Sequence, residues 1–554
     1  MIVYRRSSDG PLLGRLAPLG LLLGALAFAA ALSPSLIPRS GPIQGVLAGL
    51  CFACGYGAGA GLTALWLWAV EPAPAAPRTL RRNLRAAAVL AAVIIAWALW
   101  QATAWQNDIR SVMALPPVET ARPFTIAAIA GALAAALLLL GRLFRRAMRV
   151  IAAQAEPILP RRLALLTGFV AACWLFWAIG SGVLLDGVLR ALDQAYAKMD
   201  ALDPADMAAP VDPLKSGSPA SLIGWQGLGA EGRNRVLGGP DAAAIAALRG
   251  QPAQEPLRVF VGLNNADTPK ARAALALAEL RRIGAFDRAV LVIATPTGTG
   301  WVDPAAMQPV EYLMQGDIAS VSVQYSYLPS WLSLLVEPEY GAETAQAVFR
   351  AVYGHWTGLP KDTRPKLYLF GLSLGSLNSD LSADIYDVLA DPYQGALWAG
   401  PPFASRTWPQ ITAGRAAGSP AWAPRFRDGS LVRFTTQTDH TAEADAPWGP
   451  IRIVYLQYAS DPIVFFSPAT LWRRPDWMVV PRGPDVSPSL AWVPVVTFFQ
   501  LVFDMMTATS TPAGYGHVYA AGDYLTGWLA VTAPEGWTAP ELDRLRAALR
   551  AQGL

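Results

Sequence analysis

The sequence predicts two unlike parts in tandem: an α-helical membrane domain of about five transmembrane helices, then an α/β domain with a mainly parallel sheet. Three observations carry that reading. Long apolar runs without interior charge fill the first third of the chain. From Leu257 onward, short apolar strands alternate with helix-length segments. The 554 residues are 53% hydrophobic and only 15% charged, whereas an average soluble domain carries about 25% Asp, Glu, Lys and Arg. So few charges exclude a disordered, highly solvated chain and argue against an ordinary cytosolic enzyme. The net charge of +4, from 44 basic and 40 acidic residues, gives no footprint for nucleic acid, and no such partner is expected.

The apolar runs extend from Leu16 to Ile37, Pro42 to Val70, Ala86 to Trp105, Phe124 to Gly141 and Leu163 to Val183. Each is about the roughly 20 residues that a bilayer demands. None has Lys, Arg, Asp or Glu in its interior, where a charge costs several kcal/mol. A soluble helical core would need polar faces, and these segments have none. Arginine then sets the orientation. Arg5, Arg6 and Arg15, then Arg78, Arg81, Arg82 and Arg85, then Arg142, Arg145, Arg146, Arg149, Arg161 and Arg162 fall in alternate loops. The intervening loops hold only Arg39, Arg110 and Arg122. By the positive-inside rule the N-terminus is cytoplasmic and everything after about Leu189 extracytoplasmic, in the plasma membrane.

Within the second run, Gly55, Gly57, Gly59 and Gly61 lack the preceding strand and following Lys of a phosphate loop. They read instead as a small-residue packing face, with Gly57 to Gly61 as its repeat. Cys51, Cys54 and Cys173 lack further metal ligands nearby and read as packing residues. No cysteine follows, so disulfides do not hold the second part together.

Residues 1–190 are therefore the membrane domain, and 191–255 a connector. The connector has a short polar helix candidate near Asp193 to Met199, followed by Pro204, Pro210, Pro213 and Pro219. Dense proline breaks both helix and sheet. Its aromatic, Gly-rich stretch Ser221 to Gly229 is suited to lie against the domain that follows.

Residues 256–554 make the α/β domain. Strand candidates are Leu257–Leu263, Ala289–Ala294, Ala319–Gln324, Leu367–Phe370, Gly395–Ala399 and Ile451–Tyr458. Helix candidates between them include Pro269–Ile283, Pro304–Met314 and Ala342–Trp356. Continuous apolar strands alternating with helices indicate a parallel sheet covered on both faces. Such sheets bind ligands at the carboxyl ends of their strands.

After Leu367–Phe370 comes Gly371-Leu-Ser373-Leu-Gly375, with a helix-compatible run behind it. The bare G-x-S-x-G pattern is weak in a chain with 48 Gly, but a strand leading in and a helix leading out give it context. A sharp strand-to-helix turn needs Gly on both sides of a strained Ser, and lifts the hydroxyl above the sheet. The amide of Leu374 then lies at a helix N-terminus, ready to stabilise an oxyanion.

A serine nucleophile needs a base, and the chain has three histidines. His355 precedes the serine, and His440 lies in a polar irregular stretch. His517 comes late, in a Gly-rich loop after the last strand candidate, as the order Ser, acid, His of α/β-hydrolase folds requires. The acid belongs after a strand between the two. Asp461, in Ala459-Ser-Asp-Pro462, ends such a strand. Asp380 and Asp384 follow the serine too closely, while Asp439, Glu443 and Asp445 fall in the irregular stretch. A second oxyanion donor is expected in Thr295-Pro-Thr-Gly-Thr-Gly-Trp301, at the amide of Thr297 or Gly298. No Lys follows that loop, so it is no phosphate cradle, and no cofactor or metal is expected.

The elbow Gly371-Leu-Ser-Leu-Gly-Ser-Leu, the Thr295–Trp301 loop, the Ala-Ser-Asp-Pro segment and the multi-span N-terminus together resemble a family of bacterial membrane-anchored α/β-hydrolases. These are described as esterases or lipases with a separate N-terminal membrane domain. The resemblance covers essentially the whole chain. It implies Ser373, Asp461 and His517 as a catalytic triad, in agreement with the order argument, and supplies no substrate.

Residues 401–450, rich in Trp, Pro and Gly, occupy a place where such folds insert a lid. Tyr325–Val336, Phe465-Phe466 and Trp492–Met506 are strongly apolar, and the chain holds 20 Trp, some suited to a membrane interface. The expectation is a membrane-anchored serine hydrolase cleaving acyl esters of a lipid-like kind, with the bilayer and an acyl ester or lipid as partners. An acyltransferase on the same triad and a catalytically silent binding scaffold are the alternatives. A transporter would need ionisable groups in the spans, and only Asp186, near the end of the fifth, approaches that.

Overall fold

The computed structural model describes residues 16–70, 76–179, 207–327 and 338–554. The chain divides into two compact units. The first takes residues 1–190, 467–478 and 486–507; the second takes 191–466, 479–485 and 508–554. The α/β domain expected to run unbroken from 256 to 554 is thus interrupted twice by segments that belong to the helical unit.

The helical unit contains α1 (Pro18–Leu32), α2 (Gly41–Val70), α3 (Pro77–Val112), α4 (Pro123–Ala155) and α5 (Arg161–Ala178). Proline opens α1, α3 and α4, where its missing N–H costs nothing. Among the described residues, three helices are long and apolar enough to cross a membrane: Gly41–Leu67, Arg78–Val112 and Pro123–Ala155. This corrects the expected five. The chain turns at Ser33-Pro34, leaving α1 with 15 residues; these rise about 22 Å against a hydrocarbon core of roughly 30 Å. α5 has 18 residues, and the remainder of the fifth expected span, like Asp186, lies outside the described residues. On α3, Val89, Val93, Trp97 and Trp100 stand exposed in one stripe, an apolar face suited to lipid.

Glycine sets the helix contacts, in a different phase from the one expected. A Cβ on Gly55 would lie 2.5 Å from Leu23 O, and one on Gly59 2.7 Å from Leu19 O, both on α1. Around Gly57 and Gly61 nothing lies within 4 Å. The small-residue face is therefore Gly55 and Gly59, and it brings α1 and α2 backbones together.

The helix Val496–Met506 packs against α1 and α2. It carries a fully buried acid. Asp504 Oδ1 accepts from Arg39 Nε at 2.8 Å and Ser35 Oγ at 3.1 Å, and Oδ2 accepts from the Leu36 amide at 3.1 Å. Arg39 also donates to Gln44 Oε1 at 2.9 Å. Arg39, counted above among loop charges, is buried in this pair.

The second unit is built on seven strands: β1 (Leu257–Val261), β2 (Val290–Thr295), β3 (Ile318–Val323), β4 (Lys366–Leu372), β5 (Gly395–Ala399), β6 (Val432–Thr435) and β7 (Arg452–Leu456). Their order is β1-β3-β2-β4-β5-β7-β6, and every pairing is parallel. Helices α6 (Pro269–Arg282), α7 (Pro304–Leu313), α8 (Pro338–Thr357), α9 (Leu374–Asp380), α10 (Ala521–Thr532) and α11 (Ala539–Ala551) accompany it. Fully buried Phe370, Tyr524 and Trp528 help to fill one side of the sheet, and burial of such aromatics is a large share of any core.

The six expected strands are present, and β6 is the seventh. It lies inside the stretch 401–450, read above as a lid, and pairs Val432 with Ile453 of β7. Those four residues are the sheet edge. The connector's Ser221 to Gly229 lies against the α/β unit as expected: Ser221 Oγ and the Leu222 amide donate to Glu279 at 2.5 and 3.0 Å. The helix candidate near Asp193 lies outside the described residues.

Candidate active site

β4 ends at Leu372 and α9 begins at Leu374, so Ser373 alone makes the turn. Its φ of 57° and ψ of −126° are a strained conformation for a residue with a Cβ, worth about 1–3 kcal/mol. The surroundings enforce it. A Cβ on Gly371 would lie 2.3 Å from Gly375 C, and one on Gly375 2.3 Å from Thr295 O. No other residue fits either place. The Ser373 amide donates to Ala399 O at 3.0 Å, tying the turn to β5. Leu374, at the first helical position, has no acceptor for its amide within the helix.

Asp461 caps the short helix Pro462–Phe465, its Oδ1 accepting from the Ile463 amide at 2.9 Å. Its Oδ2 meets His517 Nδ1 at 2.6 Å. Both side chains are buried, and His517 Nε2 is buried without a hydrogen-bond partner. That leaves one imidazole nitrogen held by a carboxylate and the other open. His517 lies over Gly400, the residue after β5: a Cβ there would be 2.6 Å from the imidazole Cε1. With φ of +52° at Gly400, a side chain would be strained as well as obstructive. Ser373 and His517 thus flank the Ala399–Gly400 corner from two sides.

The expected oxyanion loop follows β2, beside β4 in the sheet, with Thr295 in register with Gly371. Within it the Thr297 amide donates to Trp301 O at 2.9 Å, closing the turn. That bond occupies the amide of one of the two expected donors. The remaining histidines are engaged elsewhere: His355 packs on Phe286, ring centres 4.5 Å apart, and His440 pairs with Glu443 at 2.7 Å. Among the described residues no cluster of His, Cys, Asp and Glu could hold a metal ion.

The alpha/beta-hydrolase family signature matches residues 257–545, more than half of the chain, and the family's N-terminal signature matches residues 32–240. The chain belongs to the alpha/beta-hydrolase family. No curated protein and no solved structure matches it.

Several residues of this alpha/beta-hydrolase site escape a sequence reading. Tyr519 OH donates to Asp461 Oδ2 at 2.6 Å, the oxygen that also meets His517. Ser460, beside the acid, donates to Asp485 Oδ2 at 2.7 Å and accepts from the Gly516 amide at 2.9 Å, so the acid and base loops are joined. Gln437 bridges Asp485 and Gly514 O at 2.9 and 3.0 Å. Asp303, at the start of α7, accepts from Tyr524 OH at 3.1 Å and the Ala305 amide at 2.9 Å. Burial pushes its carboxyl up to about 6. Only Tyr519 had a sequence signal, its position two residues after His517.

Proposed function

We propose that this alpha/beta-hydrolase is a membrane-anchored serine hydrolase that cleaves acyl esters of a lipid-like kind through Ser373, His517 and Asp461. The observation that carries the proposal is the buried His517–Asp461 bond, with Nε2 unpartnered and the imidazole over Gly400, next to the Ala399 carbonyl that holds the strained Ser373 turn. The helices long and apolar enough to cross a membrane support the anchor and favour an apolar substrate. With α1 and α5 crossing as well, the arginine pattern favours a cytoplasmic N-terminus and a catalytic unit outside; reporter fusions at both termini test that orientation.

In the mechanism that follows, Nε2 of His517 takes the Ser373 proton as Oγ attacks the acyl carbonyl carbon. Asp461 holds the imidazole tautomer and stabilises the imidazolium. The amide of Leu374, with one from the Thr295–Gly300 loop, receives the developing oxyanion. Collapse breaks the ester C–O bond, and the imidazolium protonates the departing alkoxide. Water then attacks the acyl-enzyme, giving its proton to His517, and the carboxylic acid leaves as Ser373 regains a proton. General base catalysis of this kind is worth roughly 10²–10⁴-fold, and an oxyanion donor roughly 10²–10³-fold.

The test is a panel of acyl esters and extracted lipids incubated with the purified full chain and with Ser373→Ala, products identified by mass spectrometry. Acid release by the wild type alone supports the proposal. An acyl group passed to an added alcohol instead of water would make the enzyme an acyltransferase. Turnover undiminished in Ser373→Ala would refute the triad.

A further inference from the structure

We infer that Tyr519 is a positioning residue of the triad, its hydroxyl sharing the Asp461 carboxylate with His517 and so setting how strongly that carboxylate draws a proton onto the imidazole. The inference rests on the serine hydrolase reading above and adds to it the group that tunes the base.

Asp461 Oδ2 receives His517 Nδ1 and Tyr519 OH at 2.6 Å each, while Oδ1 is occupied by the Ile463 amide. The carboxylate is wholly buried, so each donor competes for one charge that water does not screen. The phenol cannot swing away. Its ring stacks on Tyr458, centroids 4.4 Å apart, meets His517 edge-on at 5.8 Å, and borders the space above Gly400. Tyr458 is itself fixed, donating to Asp523 Oδ2 at 2.5 Å and accepting from the Ala520 amide at 3.0 Å. Burial, reinforced by the Asp461 charge, holds the Tyr519 phenol well above its ordinary range, so it remains a donor.

The charges around the base explain why such a donor is useful. Asp303 is held by Tyr524 and near enough to feel a charge on His517. Asp485 is bonded to Ser460 next to the acid, and Asp523 lies behind Tyr458 with Arg546 beyond it. Three acids besides Asp461 thus border the cluster, and Arg546 acts on Asp523 rather than on the base. Surplus negative potential favours imidazolium, yet the imidazole must be neutral to accept the Ser373 proton. A phenol donating to Asp461 draws off part of that potential.

The experiment uses the full chain in detergent with its histidines labelled at ¹³Cε1; the chain has three, and His517→Gln assigns the signal. In Tyr519→Phe, which keeps the ring and its stacking, the His517 titration midpoint moves up by about one pH unit. The acid limb of kcat/KM for an ester substrate moves with it. Tyr455→Phe removes another buried hydroxyl, one without a partner, and leaves the midpoint in place. If Tyr519→Phe does not fold, 3-fluorotyrosine at position 519 alone, a stronger donor, moves the midpoint down. An unmoved midpoint in the folded variant overturns the inference, whatever happens to the rate. A midpoint that moves in Tyr519→Phe in a protein that hydrolyses no ester refutes the serine hydrolase reading and leaves the role of Tyr519 standing.

Discussion

Asp504 in the helical unit and Asp461 in the α/β unit are both wholly buried, and their surroundings are built differently. In the helical unit, Asp504 meets Arg39, Ser35 and the Leu36 amide. In the α/β unit, Asp461 meets His517, Tyr519 and the Ile463 amide. Arginine stays charged at all working pH, so the first pair is a fixed structural tie. Histidine changes charge near neutrality, and His517 keeps a second nitrogen open. Burial alone therefore does not mark a site. What sets Asp461 apart is that a wholly buried carboxylate holds a titratable partner with an unused nitrogen; His440 also keeps Nε2 unpartnered, but on the exposed Glu443.

The largest effect expected from breaking this contrast is at the α/β unit. Asp461→Asn keeps the shape but misdirects the imidazole tautomer, and should lower kcat by roughly 10³–10⁴-fold while the unfolding midpoint changes little. Enzyme assay and thermal unfolding on the same sample separate the two. Arg39→Leu should do the reverse. It leaves Asp504 buried without its cation and should cost about 3–5 kcal/mol of stability, while the folded fraction still reacts at Ser373. Restoring stability by the double change Arg39→Leu with Asp504→Leu would confirm the pair as structural.

A smaller effect concerns pH. Burial pushes the Asp523 carboxyl up to about 6, as it does for Asp303. Between the unfolded value near 4 and this raised value, the folded chain holds more protons than the unfolded one. Stability from these groups is thus greatest below that window and falls as pH rises through it, by up to about 3 kcal/mol for each group. Asp523→Asn should flatten this fall in unfolding curves recorded between pH 4 and 8. The smallest effect tests the helix contacts. Gly55→Ala should cost about 1–3 kcal/mol by forcing a Cβ onto Leu23 O. Gly57→Ala, into open space, should be neutral in the same unfolding assay.

Ser373, Asp461 and His517 were legible as candidates because chain order and strand ends constrain them: the chain has three histidines, and Asp461 follows an apolar strand. Asp485 was not, because its role depends on tertiary proximity that no local pattern encodes; Tyr519 offered only its place two residues after His517. β6 escaped because it has four residues, too few for periodicity, amid polar turns. The glycine phase was ambiguous, since Gly55, Gly57, Gly59 and Gly61 present two equally spaced faces. Five spans were expected from apolar length alone, but Ser33-Pro34 stops α1 early. The placement of Val496–Met506 had one unused clue: Asp504 is a lone acid in an apolar helix, and Arg39 a lone base in an apolar region.

The most direct test is fluorophosphonate labelling of the full chain, with the modified peptide identified by mass spectrometry. The account predicts an adduct on Ser373 that forms fast in the wild type and is lost in His517→Gln. An adduct on another serine, or equal labelling of Ser373 without His517, would contradict it.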